Sequence, residues 1–246
     1  MRRTARPPSG FSLLELLIVI GIIALLTAIL MPVVSSVRKM SRSTVCLSNL
    51  RQWGQSFQTY LSSNHGNSIP RMEYPSPIRW WEALAPYNSD VRGTLLCPEA
   101  SERGDFSDPD FCPGSATKAW WIRRGNYVGS YGFNQWVYKQ PTDFSNVGNG
   151  PKHIRFPAVR GDRVPLLADC CWAWQNPLSG DSVPRNLDYP EKGISTSLAV
   201  FCIDRHQMAI NVVFLDGHAD HEPLAELWKL KWSQNFVPMD VVVPRP

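Results

Sequence analysis

Several residues in this 246-residue chain are of types that do chemistry, and their spacing says which chemistry to weigh. His206 is followed by nine residues and then Asp216-Gly217, with His218 and His221 just beyond and Asp169 upstream. Imidazoles and carboxylates gathered in this way could bind a metal or move protons. A second reading is structural. Asp-Gly is a strong hairpin dipeptide, so Asp216 sets a turn through its side chain and His206 hydrogen-bonds across the hairpin. His218 and His221 are three apart, which points them to opposite faces of one extended strand. That separation weighs against a shared ligand set and favours the turn.

Asp105, Asp108 and Asp110 form a second group, in the acidic stretch G-D-F-S-D-P-D. Calcium, a hard cation wanting several oxygens, is one occupant for such a loop; solvated loop charges are the simpler reading. The tryptophans Trp80, Trp81, Trp120, Trp121, Trp172 and Trp174 could stack on sugars, although core filling is the commoner use of such rings. The six cysteines stand at 46, 97, 112, 170, 171 and 202, and no two make a C-x-x-C pair, so a zinc site is unsupported. No G-x-S-x-G elbow, phosphate-cradling glycine loop or histidine-rich metal motif is present, and no catalytic residue or metal ligand is assigned.

The elements that must position these groups begin with an apolar run. In the 21 residues from Phe11 to Met31, Glu15 is the one ionisable side chain. At 1.5 Å per residue the run is roughly 31 Å of helix, about the thickness of a bilayer core. A carboxylate at that depth costs on the order of 3 kcal/mol, so Glu15 either reaches the interface or has a partner. Arg2, Arg3 and Arg6 precede the run, which keeps the leader in the cytoplasm and puts the bulk of the chain outside. An ordinary secretory signal would be cleaved after the run at small residues, and no A-x-A pattern stands there. The 25 basic side chains exceed the 21 acidic ones by four, and three of the excess are those leader arginines. The rest is nearly neutral and shows no nucleic-acid footprint.

Beyond Pro32, the spacing of Val37, Met40, Leu47, Leu50, Phe57 and Leu61, with Thr44 and Gly54 in the gaps, predicts a helix to about Ser63 with one apolar stripe. Gly66 is the expected left-handed cap. A head of roughly 180 residues follows, ample for a core. It should hold a short helix at Trp80–Leu84, loops from Cys97 to Lys118 and an irregular strand from Asn126 to Trp136. Strands are expected at Val164–Ala168, Ser197–Cys202 and Ala209–Leu215, with His218–His221 returning from the hairpin. An amphipathic helix at Leu224–Trp232 completes the set. The class is α+β, a long N-terminal helix against a mostly antiparallel sheet.

The stretch G-F-S-L-L-E-L-L-I-V-I-G-I-I-A-L-L-T-A-I-L-M-P, Gly10 to Pro32, resembles the N-terminus of type IV prepilins and type II secretion pseudopilins. The resemblance implies cleavage between Gly10 and Phe11 by a prepilin peptidase, N-methylation of Phe11, and pairing of Glu15 with the amino terminus of a neighbouring subunit. Two opposite charges in a low-dielectric site would each relieve the other's burial. The histidine nine residues ahead of Asp216-Gly217 is similar to the H-x9-DG processing-associated domain of pseudopilin-like proteins. C-L-S-N-L-R-Q (46–52), L-L-C-P (95–98), S-Y-G-F-N (130–134) and L-L-A-D (166–169) fit that family as well.

The implied organisation is a leader at 1–10, a transmembrane helix at 11–32, a helical stalk at 33–64 and an extracytoplasmic pilin-like head at 65–246. The implied function is a non-enzymatic, structural subunit of a type II secretion or type IV pilus-like envelope assembly. It would cross the bacterial inner membrane once, with the head in the periplasm or beyond. Its partners would be the prepilin peptidase and other pilin-like subunits, and no cofactor is expected apart from calcium at the acidic loop. The alternative is a surface-anchored module that binds glycans or other ligands through its tryptophans. In an extracytoplasmic head disulfides are permitted. Cys97 and Cys112, each followed by proline and flanking one loop, are the preferred pair, closure being worth roughly 3 kcal/mol. Cys170 or Cys171 with Cys202 is the weaker one.

Overall fold

The apolar run and the stripe behind it form one helix, α1, Leu13–Ser63, 51 residues long with Pro32 inside it. The computed structural model describes residues 13–70, 78–102, 111–139, 153–156, 160–188 and 197–245. Gly10 and Phe11, and the acidic group Asp105, Asp108 and Asp110, lie outside these residues. The chain divides into two compact units, one ending at Ser41 and one running from Arg42 to Pro246, and α1 contributes to both.

In the first unit, the described side chains are exposed on every side of the helix, from Leu13 through Met40. This helix is long and apolar enough to cross a membrane. A helix hydrophobic all round is stable only where lipid or other helices cover it. In the second unit the pattern changes to one face. Cys46, Leu50, Trp53 and Phe57, spaced by fours and a three, are all fully buried, whereas Arg51 and Gln55 between them and Thr59 just beyond remain exposed. The helix ends in a Schellman turn, with the Gly66 N–H donating to the Leu61 carbonyl at 2.8 Å. Both His65 and Gly66 have positive φ, 54° and 76°. The bond pattern puts His65, and not Gly66, at the first left-handed position.

After the short helices α2, Trp80–Leu84, and α3, Val91–Thr94, come eight strands among the described residues. They are β1 (Phe111–Cys112), β2 (Trp120–Ile122), β3 (Tyr127–Gly129), β4 (Tyr131–Asn134), β5 (Pro165–Asp169), β6 (Trp174–Gln175), β7 (Ala209–Phe214) and β8 (Ala219–Pro223). The first three make an antiparallel sheet. The others make a sheet ordered β6-β4-β5-β7-β8, antiparallel except for the parallel β4–β6 pair. The α+β architecture expected from the sequence is the one found.

The expected strand from Asn126 to Trp136 is split at Ser130 into β3 and β4, which belong to different sheets. Ser197–Val200 forms a 3-10 helix instead of a strand, and the C-terminal helix is a 3-10 segment, Leu224–Lys229. Both segments are short and apolar, and burial fixes them without demanding a particular hydrogen-bond ladder.

Strand β7 is buried on both faces, which explains its nearly unbroken apolar sequence. Val213 packs in the cluster built on Cys46, Leu50, Trp53 and Phe57. Ile210, Val212 and Phe214 face a second cluster with Leu224, Leu227, Trp228 and Trp232. Gly54 lets α1 approach the sheet. A Cβ there would lie 2.7 Å from Val213 Cγ2 and 3.4 Å from the Gly217 backbone. Gly54→Ala is therefore expected to destabilise the head by about 1–3 kcal/mol through overpacking, despite alanine's better helix propensity. Urea unfolding followed by tryptophan fluorescence measures this; an unchanged or raised midpoint would contradict the close approach.

Candidate functional site

The hairpin motif does not bring His206 and Asp216 together. The two residues flank opposite ends of β7. Asp216 sits in the loop between β7 and β8. Its Oδ1 accepts the His218 backbone N–H at 3.1 Å and lies 2.6 Å from His218 Nδ1. Gly217 follows at φ 94°, and its N–H donates to the Phe214 carbonyl. This is a three-residue loop ending in a left-handed glycine, a standard hairpin closure. The His218 ring stacks on Phe214 at 4.4 Å. His221 turns away from it and bonds through Nδ1 to Asn211 Oδ1 at 3.1 Å.

His206 belongs to a different site, inside the head. Four short stretches converge there, each already prominent in the sequence: Cys46 on α1, Cys97 after α3, Asp169 at the end of β5, and Arg205-His206 ahead of β7. One ligand atom from each of Cys46, Cys97, Asp169 and His206 lies within 4.8 Å of all the others, and all four residues are buried. The Cys46 sulfur is 3.5 Å from both Asp169 oxygens. The Cys97 sulfur is 3.5 Å from His206 Nε2, which is itself 3.1 Å from Asp169 Oδ2.

Local structure fixes each of these side chains. Asn49 and Trp53 of α1 donate to the carbonyls of Leu96 and Thr94, clamping the segment that carries Cys97 under the helix. Asp90 caps α3 by accepting the Gly93 N–H at 2.9 Å. His206 precedes a reversal in which Gln207 and Met208 both take positive φ, 60° and 63°. The Asp204 side chain holds that reversal by accepting the Met208 N–H at 2.6 Å. Two non-glycine residues in the left-handed region cost energy that the surrounding packing must supply.

Arg205 anchors the site. Its guanidinium is fully buried and pairs with Asp169 Oδ1 at 3.0 Å. It also donates to the carbonyls of Ser115, Ala116, Ser130 and Cys170. Asp169 Oδ2 in turn accepts the Asn211 N–H at 2.9 Å. Burial pushes the Asp169 carboxyl up, but the charge and hydrogen bond of His206 and the Arg205 guanidinium outweigh it and hold the group at about 2. Burial depresses His206, and the neighbouring Asp169 carboxylate overrides that and raises it to about 10. Burial raises the Cys97 thiol, against which hydrogen bonds from Cys46 and His206 bring it down to about 7. Cys46 is pushed well up, by burial first and then by its bond to Cys97.

The arrangement is not that of a nucleophile–base–acid relay. In such a relay the two imidazole nitrogens face opposite partners, whereas here the same Nε2 faces both the Cys97 sulfur and the carboxylate. Among the described residues, these four are the group able to hold a metal. Sequence reasoning singled out His206 and Asp169 but missed Cys46 and Cys97. The available signal was that each lies in one of the quoted short stretches.

The expected Cys97–Cys112 disulfide is not formed. Cys97 is a thiol placed beside Cys46 and His206, while Cys112 lies in the three-stranded sheet, paired with Trp121. Cys170, Cys171 and Cys202 are buried thiols as well, so the weaker pairing is also absent. The tryptophans do not form an exposed platform. Trp80, Trp81 and Trp120 are core residues in mutual ring contact, and Trp172 and Trp174 are half-buried.

A family model described as the prokaryotic N-terminal methylation motif matches residues 6–31. The chain carries a prepilin-type signal. The signal and the apolar helix together point to a membrane-anchored protein. No curated protein matches the chain, and neither does any solved structure.

The two acidic sites separate experimentally. Asp169→Asn leaves Arg205 buried without its counter-ion and should destabilise the head by about 3–5 kcal/mol. Asp216→Asn, in an exposed turn, should cost about 1 kcal/mol or less. Denaturant midpoints of the two variants check the ranking, which fails if Asp216 proves the more sensitive.

Proposed function

We propose that the chain is a structural, pilin-like subunit of a type II secretion or type IV pilus-like envelope assembly, cut between Gly10 and Phe11 and methylated on Phe11. The observation that carries this is a coincidence. The methylation motif at 6–31 overlaps a helix whose apolar side chains are exposed all round, a surface that only lipid or neighbouring helices of the same kind can cover. Glu15 is the ionisable side chain in that surface, and its role is to pair with the amino group of Phe11 on a neighbour and set axial register. The processing enzyme is a prepilin peptidase, and the partners are other pilin-like subunits in the bacterial inner membrane, with the head outside the cytoplasm.

The head supports a structural rather than catalytic role, since its titratable cluster is buried and lacks relay geometry. The glycan-binding alternative finds little surface to work with, because Trp80, Trp81 and Trp120 fill the core.

Two measurements test the proposal. Mass spectrometry of the mature protein should find a methylated Phe11 as the first residue; any other start overturns the processing step. Glu15→Leu should leave the protein in the membrane fraction but abolish crosslinking to other pilin-like subunits. Crosslinking at the wild-type level would overturn the assembly role.

A further inference from the structure

Two thiols, an imidazole and a carboxylate from four separate chain segments meet at one buried point in the head. We propose that Cys46, Cys97, Asp169 and His206 form a tetrahedral, structural zinc site.

The types of ligand select the metal. Thiolate sulfur and imidazole nitrogen suit zinc, whereas calcium and magnesium want oxygen donors throughout. The spacing agrees. With metal–sulfur bonds of about 2.3 Å and metal–nitrogen and metal–oxygen bonds of about 2.0–2.2 Å, a tetrahedron has edges of about 3.4–3.8 Å. Three of the six edges are 3.5 Å from Cys46 Sγ to Asp169 Oδ2, 3.5 Å from Cys97 Sγ to His206 Nε2 and 3.1 Å from His206 Nε2 to Asp169 Oδ2, and all six lie within 4.8 Å. The edge from His206 to Asp169 is slightly short and would open on binding. The orientation of His206 agrees too. A single nitrogen aimed at sulfur and oxygen together is what a shared central ion requires.

Charge gives an independent reason. Two thiolates and one carboxylate carry three negative charges, and a divalent zinc with the Arg205 guanidinium carries three positive ones. The buried cluster is then neutral, which is the condition for tolerating charges in a low-dielectric interior. Zinc would displace the thiol protons of Cys46 and Cys97 and the Nε2 proton of His206, leaving the imidazole neutral, and release them to solvent.

The surroundings supply an outer shell. The Tyr131 hydroxyl donates to the Cys46 sulfur at 3.4 Å, Arg205 holds Asp169 Oδ1 at 3.0 Å, and the Asn211 N–H holds Oδ2 at 2.9 Å. Such groups orient ligands and tune their basicity. All four positions belong to protein and all are buried, so the site is closed and has no open position for a substrate. The ion would tie α1 to the segment after α3, to β5 and to the turn ahead of β7.

The test uses the full mature chain purified in detergent without chelator. Elemental analysis should find one zinc per chain, retained through gel filtration. Replacement by cobalt should give the thiolate-to-cobalt charge-transfer band and the intense visible bands of a tetrahedral site. Cys46 and Cys97 should resist alkylation until a chelator is added. Cys97→Ser should lose the metal. Tyr131→Phe, which keeps every ligand, should weaken zinc binding by about 10–100-fold while retaining the cobalt spectrum. The cobalt measurement needs no variant, so a misfolded Cys97→Ser leaves the proposal exposed to disproof. Absence of zinc even after reloading, a cobalt spectrum without thiolate bands, or peptide mapping that finds Cys46 and Cys97 joined in a disulfide would each overturn it.

Discussion

The structure of the head depends on the buried pair of Arg205 and Asp169. Both side chains are fully removed from solvent, so neither charge has water to fall back on. A guanidinium in that position must place all of its N–H groups, and Arg205 does so on Asp169 and on four carbonyls from the 115–116 loop, Ser130 and Cys170. Only arginine has the planar fork of donors to do this. The consequence is geometric. The loop after β1, the junction between β3 and β4, the end of β5 and the entry to β7 are all referred to one point, and misplacing any of them strands a buried charge.

Around that point the head is built as two apolar clusters on either face of β5 and β7. The cluster on one face is closed by α1, whose Cys46, Leu50, Trp53 and Phe57 supply the buried stripe and whose Gly54 permits the approach. The cluster on the other face is closed by the 3-10 segment at Leu224–Lys229 and the chain beyond it. Asn211 is the polar interruption in β7. Its side chain faces the helix, bonded to Ser43 and to His221, and its N–H reaches Asp169. Helix, sheet and buried charge are thus coupled through one strand. Along α1 itself the side chains change from exposed on all sides before Ser41 to buried on one side after Arg42, so a single helix has an apolar segment, as far as Val34, suited to lipid or other helices and a later segment suited to a protein core.

Much of this was legible in the residues. The boundaries of α1 at Ser63 and of α2 at Trp80–Leu84 follow from apolar spacing, and the hairpin at Asp216-Gly217 from its turn chemistry. These are short-range effects. The elements misread were those whose form depends on their neighbours. Ser197–Cys202 has a strand-like composition, but although β6 lies beside it, Ser197–Val200 closes as a 3-10 turn and Leu198, Phe201 and Cys202 pack into the second cluster. Cys97 and Cys112 flank one loop in the sequence, which suggests a pair, whereas α1 clamps Cys97 from the side and presents Cys46 to it.

By itself the sequence determined what depends on composition and on residues near one another in the chain. That covers the prepilin-type signal, the membrane-compatible helix with Glu15, the one-sided stripe that follows, and the closing hairpin. It also marked Asp169 and His206 as residues of interest, without saying to what they belong. Tertiary structure alone decided that they share a site with two cysteines. Cys46 and Asp169 are 123 residues apart, and Cys97 and His206 are 109 apart. No local preference spans such distances. Only the packing of α1 on β5 and β7, held in register by the Arg205–Asp169 pair, brings their donor atoms to a common centre.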